Sequence, residues 1–354
     1  MTLTSRTEPI GAQQVPDAPA PAPADPSPAV GHEKKPTAGG ARRVLTKVAL
    51  RLGGAIVTLW GAATVAFLSQ LALPGNKAQA IFNIRAGQAT DRSPEELAPV
   101  VKMFGLDHPI LAQYFSYLGG LLHGDLGLSY QQFRPVTDII GEQLPATLTL
   151  TLTAIVLAWV LMIVWTLLTA GRSRSVSAFS ELVDSFTASL PHYWLGIILL
   201  LVFAAGLGWF PVISGSSPAG IVLPALTLAI PLAGFMSQSM RTEFEDQLRQ
   251  PFVTTARTRG MRDLSIRFKH VLRHSLIPPV TLSGWALGAT ISGAVVVETV
   301  YSRGGVGSAL VQAVNSQDLP IVTGVVVLIA ALYVIANLVV DVLYVIIDPR
   351  LKAS

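Results

Sequence analysis

The stretch "IVTGVVVLIAALYVIANLVVDVLYVII", residues 321–347, carries one charged residue, Asp341, and has no polar face. A helix needs about 20 apolar residues to cross roughly 30 Å of hydrocarbon. A core helix in a soluble protein of this length would show a polar stripe to water. Five more stretches have the same character: 44–72, 144–170, 179–204, 221–240 and 277–300. The third is interrupted at Pro191, and the fourth contains Pro224 and Pro231. Prolines and polar residues are tolerated in spans that pack against neighbours or line a pathway. Charge points the same way. Only 13% of the chain is Asp, Glu, Lys or Arg, against about 25% in soluble domains. The sequence therefore predicts an all-α membrane protein with six transmembrane helices. Cysteine is absent, which excludes disulfides, thiolate catalysis and Cys-based metal centres.

Residues 1–40 are of another kind, rich in Pro and Ala with almost no large apolar side chain. Such a segment buries too little surface to offset its ordering entropy and reads as a disordered tail. It lacks the charged-then-apolar layout of a signal peptide. Lys and Arg fix the orientation. With the N-terminus inside, the inner connections 34–51, 171–178, 241–274 and the end beyond 348 hold six, two, eight and two of them. The outer loops 205–220 and 301–320 hold none and one. Both ends are thus expected in the cytoplasm.

The outer segment 73–143 is too long for a turn. "SPEELAPVVKMFGL" offers Ser93 as a helix cap, Pro94 in the first turn and Glu96 three residues after the cap. "PILAQYFSYLGGLL" repeats apolar residues near the helical period. Two short amphipathic helices at the outer face are expected, either as a docking surface or simply as membrane-surface helices.

Inside, residues 254–279 hold Arg257, Arg259, Arg262, Arg267, Lys269 and Arg273 against the single acid Asp263. Pro251 opens a short helical run, and Gly260 suits the left-handed turn after it. Leu264, Phe268, Val271, Leu272 and Leu276 then form an apolar stripe leading to the membrane at Pro278. Two short helices joined at a glycine elbow are marginal alone in water, and docking onto a partner would hold them. Positive-inside anchoring on lipid phosphates is the competing account of Arg262, Arg267 and Arg273.

The segment "PFVTTARTRGMRDLSIRFKHVLRHSLIPPV" resembles the EAA loop of ATP-binding-cassette (ABC) importer permeases, in the form used by the peptide/nickel group. The core is Thr255, Ala256, Arg257 and Gly260, with Pro278 eighteen residues past the glycine. Of the loop's name-giving Glu-Ala-Ala, only Ala256 matches; Thr254 and Thr255 fill the other places. "FGLDHPILAQYFSYLGGLLHGDLGLSY", "RPVTDIIGEQLPATLTLTL", "GLGWFPVIS" and "DPRLK" are similar to the first permease of dipeptide and oligopeptide importers, and the resemblance covers about 45–352. One departure is "YSRGGVG" at 301–307, where relatives commonly place a Pro before the second glycine.

The resemblance implies a type I importer permease fold, N-in and C-in, in the bacterial cell membrane. It comprises a first helix over 44–72, an outer helical segment over 73–143, and a five-helix core over 144–348 with a coupling loop at 241–275. It implies no catalysis and no cofactor in this chain, with ATP and Mg held by partner subunits. The implied partners are a second homologous permease, two cytoplasmic ATPase subunits or domains, an extracytoplasmic substrate-binding protein and membrane lipid, with no nucleic acid. Phe252, Thr254, Thr255, Ala256, Arg257, Arg259 and Gly260 form the expected ATPase contact. Peptides are the implied cargo; nickel chelates or other small solutes are the alternative within the family.

Other signals carry less. Gly284, Gly288 and Ser292 make a small-residue ladder that lines a pathway or packs within the subunit. Asn337 and Asp341 share a helix face, read as an interhelical hydrogen bond. "SRGGVGS" at 302–308 lacks the Gly-Lys-Ser/Thr of a phosphate loop. The histidines show no metal-ligand spacing, so no metal is expected. An ion-coupled secondary transporter would show internal repeats and midplane charges. An intramembrane enzyme would show a nucleophile or His-Glu-x-x-His motif. Neither pattern is present.

Overall fold

The computed structural model describes residues 39–71, 75–87, 90–215 and 217–347; side chains are not described from Asp341 onward. Nearly all of the tail expected over 1–40, and the C-terminus from 349, lie outside the described residues. By its contacts the chain divides into residues 1–46, of which only the opening of α1 is described, and residues 47–354, which hold all the other elements.

Among the described residues, fourteen α-helices follow in order. α1 spans Gly39–Leu71. The outer segment forms α2 (Lys77–Ala86), α3 (Pro94–Met103) and α4 (Ile110–Leu122). α5 (Val136–Thr169), α6 (Arg174–Ala188) and α7 (His192–Leu199) come next, and α7 continues as a π-helical turn over Leu200–Gly206. α8 spans Val222–Leu248. The cytoplasmic elements are α9 (Pro251–Thr258), α10 (Asp263–Ile266), a π turn over Arg267–Val271 and α11 (Leu272–Ser275). α12 (Ile277–Val300), α13 (Val306–Asn315) and α14 (Leu319–Ile347) complete the chain. Among the described residues there is no strand beyond one isolated bridge, Leu128 with Pro135.

Among the described residues, five helices are long and apolar enough to cross a membrane, six if a bent pair counts as one span. That pair is the expected third span. It is not straight: α6 and α7 meet at 100°. Pro191 is the reason, because a residue before proline is pushed out of the helical region. α6 ends at Ala188, and Pro191 sits extended as the N-cap of α7. Two other boundaries also move. α5 begins at Val136, eight residues before the expected span, and runs through Pro145. α8 continues to Leu248, so the first part of the expected loop 241–275 is helix.

α8 is the central strut. Two thirds of its most apolar window (67%) is buried, against 17–39% in the other four. Small residues let neighbours approach it: Ala225, Ala229, Ala233, Gly234 and Ser237 are all buried. A Cβ at Gly234 would stand 2.8 Å from the Asp184 carbonyl, so the close α6–α8 crossing requires glycine there. Two turns further, Arg241 donates to Asp184 through Nε (3.0 Å) and Nη2 (2.8 Å), and to Thr169 Oγ1 through Nη1 (3.0 Å). All three are buried, which ties α8 to α6 and α5 by a desolvated ion pair.

In the outer segment, Ser93 and Glu96 make the expected reciprocal cap: Glu96 N–H donates to Ser93 Oγ (3.4 Å) and Ser93 N–H to Glu96 Oε2 (3.0 Å). α2 is an additional helix there, packing Ala78 and Ile81 on Leu97, Val100 and Tyr130. Asn76 caps it by accepting from Ala78 and Gln79.

Candidate coupling site

α9 is short and gets its position from the base of α8. Val253 and Ala256, three apart, turn inward and join Met240, Phe244, Ile266 and Val271 in one buried cluster. Thr254, Thr255, Arg257, Thr258 and Arg259 are left exposed. Phe252 is half-buried against that cluster, with its ring 5.6 Å from the His274 ring. Ala256, expected on the contact surface, is covered by its own chain at 7% exposure. Its small size lets α9 settle on the core; it offers nothing outward.

The helix ends in a Schellman motif. Met261 N–H donates to Ala256 O (3.2 Å) and Gly260 N–H to Arg257 O (2.9 Å). Gly260 has φ +74°, and no heavy atom lies within 4 Å of where a Cβ would stand. Glycine is needed here for backbone conformation, not for space.

Beyond the elbow, Asp263 joins three arginines. Arg267 Nε donates to its Oδ2 at 2.8 Å, Arg172 Nη1 approaches the same oxygen at 3.3 Å, and Arg257 Nη2 lies 3.7 Å from Oδ1. Burial opposes ionisation of Asp263, but the hydrogen bond and charge of Arg267, backed by Arg172 and Arg257, outweigh it and hold the carboxyl below its ordinary value. In the sequence Asp263 stands only as the lone acid of a basic stretch; Arg257 and Arg267 within six residues of it, and Arg172 in the preceding inner loop, are the available signal.

Arg267 is buried, not lipid-facing. Its Nη1 donates to the carbonyls of Ala170 (2.6 Å) and Leu167 (3.4 Å), and its guanidinium lies 5.8 Å from the centre of the Phe244 ring. The last carbonyls of α5 have no partner within their own helix, so a cation there satisfies both hydrogen bonding and the helix dipole. The π turn places it. Buried residues fall at 266, 267, 271, 272 and 275, about five apart per turn, and the expected stripe breaks: Leu264 (57%) and Phe268 (60%) are exposed. Arg262 and Arg273 are exposed.

The small-residue ladder of α12 faces α14. A Cβ on Gly284 would stand 3.3 Å from Asn337 Oδ1 and from Val340 Cγ2, and one on Gly288 would strike the Tyr333 ring. Ser292 is exposed. Asn337 Nδ2 donates within its own helix to Tyr333 O (2.8 Å). The side chain of Asp341 is outside the described residues.

At the outer face, "SRGGVGS" folds around an acid. Glu298 is buried, accepting from Thr147 Oγ1 (2.6 Å) and from Ser308 N–H (3.0 Å) at the start of α13. A carboxylate thus occupies the place where a phosphate loop would hold its anion. Arg303, at the departure from the family pattern, donates through Nη1 to Gly215 O (3.1 Å) and joins the two outer loops.

Among the described residues, apolar spans surround a buried strut, and an exposed basic helix is held on an elbow beside it. Two family descriptions match: "Binding-protein-dependent transport system inner membrane component" over residues 162–353, and its N-terminal counterpart over residues 44–151. The glutathione transport system permease protein GsiC of Escherichia coli K12 is 35% identical over 310 residues, 87% of this chain and 99% of that protein. The proteins of the same name in Shigella dysenteriae serotype 1 and Shigella boydii serotype 4 are 35% and 34% identical over the same shares. The chain belongs to the binding-protein-dependent transport system inner membrane component family: it is a multi-pass inner-membrane permease subunit of an ABC importer, with the type I permease fold.

Proposed function

We propose that this permease forms half of a pathway completed by a second, homologous permease. α9 rests on cytoplasmic ATPases that supply ATP and Mg, and an extracytoplasmic binding protein delivers cargo to the outer segment. The supporting observation is the elbow. Thr254, Thr255, Arg257, Arg259 and Gly260 are exposed on it, while its inner face is fixed to α8. Asp263 and Arg267 connect it to the end of α5, and α11 leads through Leu276 into α12. A force on α9 therefore reaches three spans through packed and hydrogen-bonded atoms. Only contacts that differ between two states can shift a conformational equilibrium, and a partner that closes on ATP supplies that difference.

The cargo proposed is a small peptide of the glutathione kind, on the strength of the relatives' stated role. The test is ATP-driven uptake of radiolabelled glutathione and of a dipeptide into proteoliposomes holding the whole complex. Arg257→Glu with Arg259→Glu is expected to remove uptake and cargo-stimulated ATP hydrolysis while leaving insertion intact. Undiminished uptake at equal expression would refute the coupling role. Uptake of neither compound by the unaltered complex would refute the cargo.

A further inference from the structure

The exposed faces of two spans differ in chemistry. On α5, Leu152, Val156, Val160 and Val164 point outward, all of them aliphatic. On α12 the exposed residues include Thr281, Trp285, Ser292 and Thr299. Trp285, Ser292 and Thr299 are spaced by seven, so they share one face, each about 10 Å of rise from the next. Gly284 and Gly288 are packed against α14, but Ser292, one turn on, is exposed. Two recesses open along this face. One, of about 430 Å³, lies at the outer end of α12, where Thr299 joins Ser302, Arg303, Gln312 and Asn315. The other, of about 410 Å³, lies at mid-span and takes in Trp285, Gly288 and Ser292, together with Thr58 of α1 and Tyr333 of α14. α8 continues the face. The Phe235 ring lies against that of Trp285 with centroids 4.7 Å apart, both rings are partly exposed, and Thr242, seven residues on from Phe235, is exposed as well.

Lipid suits the first face and not the second. Thr281 and Thr299 turn their hydroxyls back to Ile277 O (3.1 Å) and Val295 O (2.9 Å), as Thr does within a helix. Among the described residues, neither the Ser292 hydroxyl nor the Trp285 indole N–H has a partner. A donor without a partner is costly against hydrocarbon, whereas water or a peptide carbonyl would satisfy both. We propose that the exposed face of α12, continued by Phe235 and Thr242 on α8, is the water-lined wall along which cargo crosses the membrane, from the outer recess past Trp285 to the inner side. The wall belongs to the half-pathway proposed above and stands on that reading.

The test places single cysteines in this naturally cysteine-free chain and treats the assembled complex, in nanodiscs, with a charged methanethiosulfonate. The reagent attacks the thiolate, which forms in water and is suppressed in apolar surroundings. Intact mass of this subunit reads the labelling, so thiols on partners do not count. Ser292→Cys should react in at least one of the nucleotide-free, ATP-bound and vanadate-trapped states, about tenfold or more faster than Val156→Cys on α5. Thr281→Cys, further along the wall, takes its place should the first variant not assemble. An inert wall cysteine in all three states, while Asn315→Cys at the outer surface reacts, would overturn the wall, and so would Val156→Cys reacting as fast. In proteoliposomes, a bulky thiol adduct on the wall cysteine should abolish ATP-driven uptake of S-methylglutathione, a thiol-free peptide. Full uptake by a labelled complex would put cargo elsewhere and overturn the assignment. The two readings fail separately: uptake by a complex that contains no second permease sinks the half-pathway, whatever the cysteines show, and uptake by the paired complex with an inert wall cysteine sinks the wall alone.

Discussion

Two acids decide how this permease's inner half is held, and they differ in exposure. Asp184 is buried against Arg241. Removing one member of such a pair leaves an uncompensated charge and typically costs about 3–5 kcal/mol. Arg241→Ala is therefore expected to lower the Tm sharply, and Asp184→Leu with Arg241→Met to recover most of the loss, as followed by thermal melting in detergent. Asp263 is more accessible, and its effect is one of pH. Its folded-state pKa lies below the unfolded value, so it stabilises the elbow fully above the ordinary carboxylate range. That contribution falls away as pH drops through the lower, folded-state value. Asp263→Asn should remove it at all pH. Amide exchange in residues 254–262, compared near neutrality and below the carboxylate range, should rise in the parent at the lower pH and be pH-insensitive in the variant once intrinsic exchange is subtracted.

The helical elements range from legible to hidden in the sequence. α12 is bounded by Pro278 and the polar loop after Val300, and its apolar run and its helix coincide at 277–300. The Ser93 cap and the Gly260 elbow were equally legible, because each depends on chemistry within a few residues. The 100° bend after Ala188 was not, since Pro191 interrupts a span in many ways and only packing against α8 selects the angle. Nor was the burial of Arg267, which follows from a π turn that no apolar periodicity encodes. Ala256 shows the limit at the coupling site: its size was read, but the side of α9 on which it lies depends on how that helix sits on Phe244 and Ile266. Gly260 gives a discriminating test at this scale. With open space around it, replacement acts through backbone conformation alone. Gly260→Ala should cost about 1–2 kcal/mol of elbow stability, and Gly260→Asn less, because Asn visits the left-handed region more readily. Uptake rates should follow the order Gly, Asn, Ala; a reversed order between Asn and Ala would show that the contact at 260 is with a partner's surface.

At the scale of the molecule, the outward apolar faces complement the buried strut. Leu152, Val156 and Val160 on α5, each four residues apart, are exposed, as are Ile56 and Val57 on α1. Faces like these need lipid or another subunit over them, which agrees with an inner-membrane permease that assembles with partners. The handedness of that arrangement rests on the Lys and Arg distribution, and the absence of cysteine makes it directly measurable. Thr258 on α9 and Asn315 at the end of α13 are both exposed, so a single cysteine at either meets a water-soluble maleimide without unfolding the chain. In intact spheroplasts, Asn315→Cys should be labelled and Thr258→Cys should not. Inside-out vesicles should give the opposite pattern unless an assembled ATPase shields Thr258→Cys, in which case stripping the peripheral subunits should uncover it. Labelling of Thr258→Cys from the outside would place the basic elbow where no ATP-hydrolysing partner can reach it, and the coupling mechanism would fall with the topology.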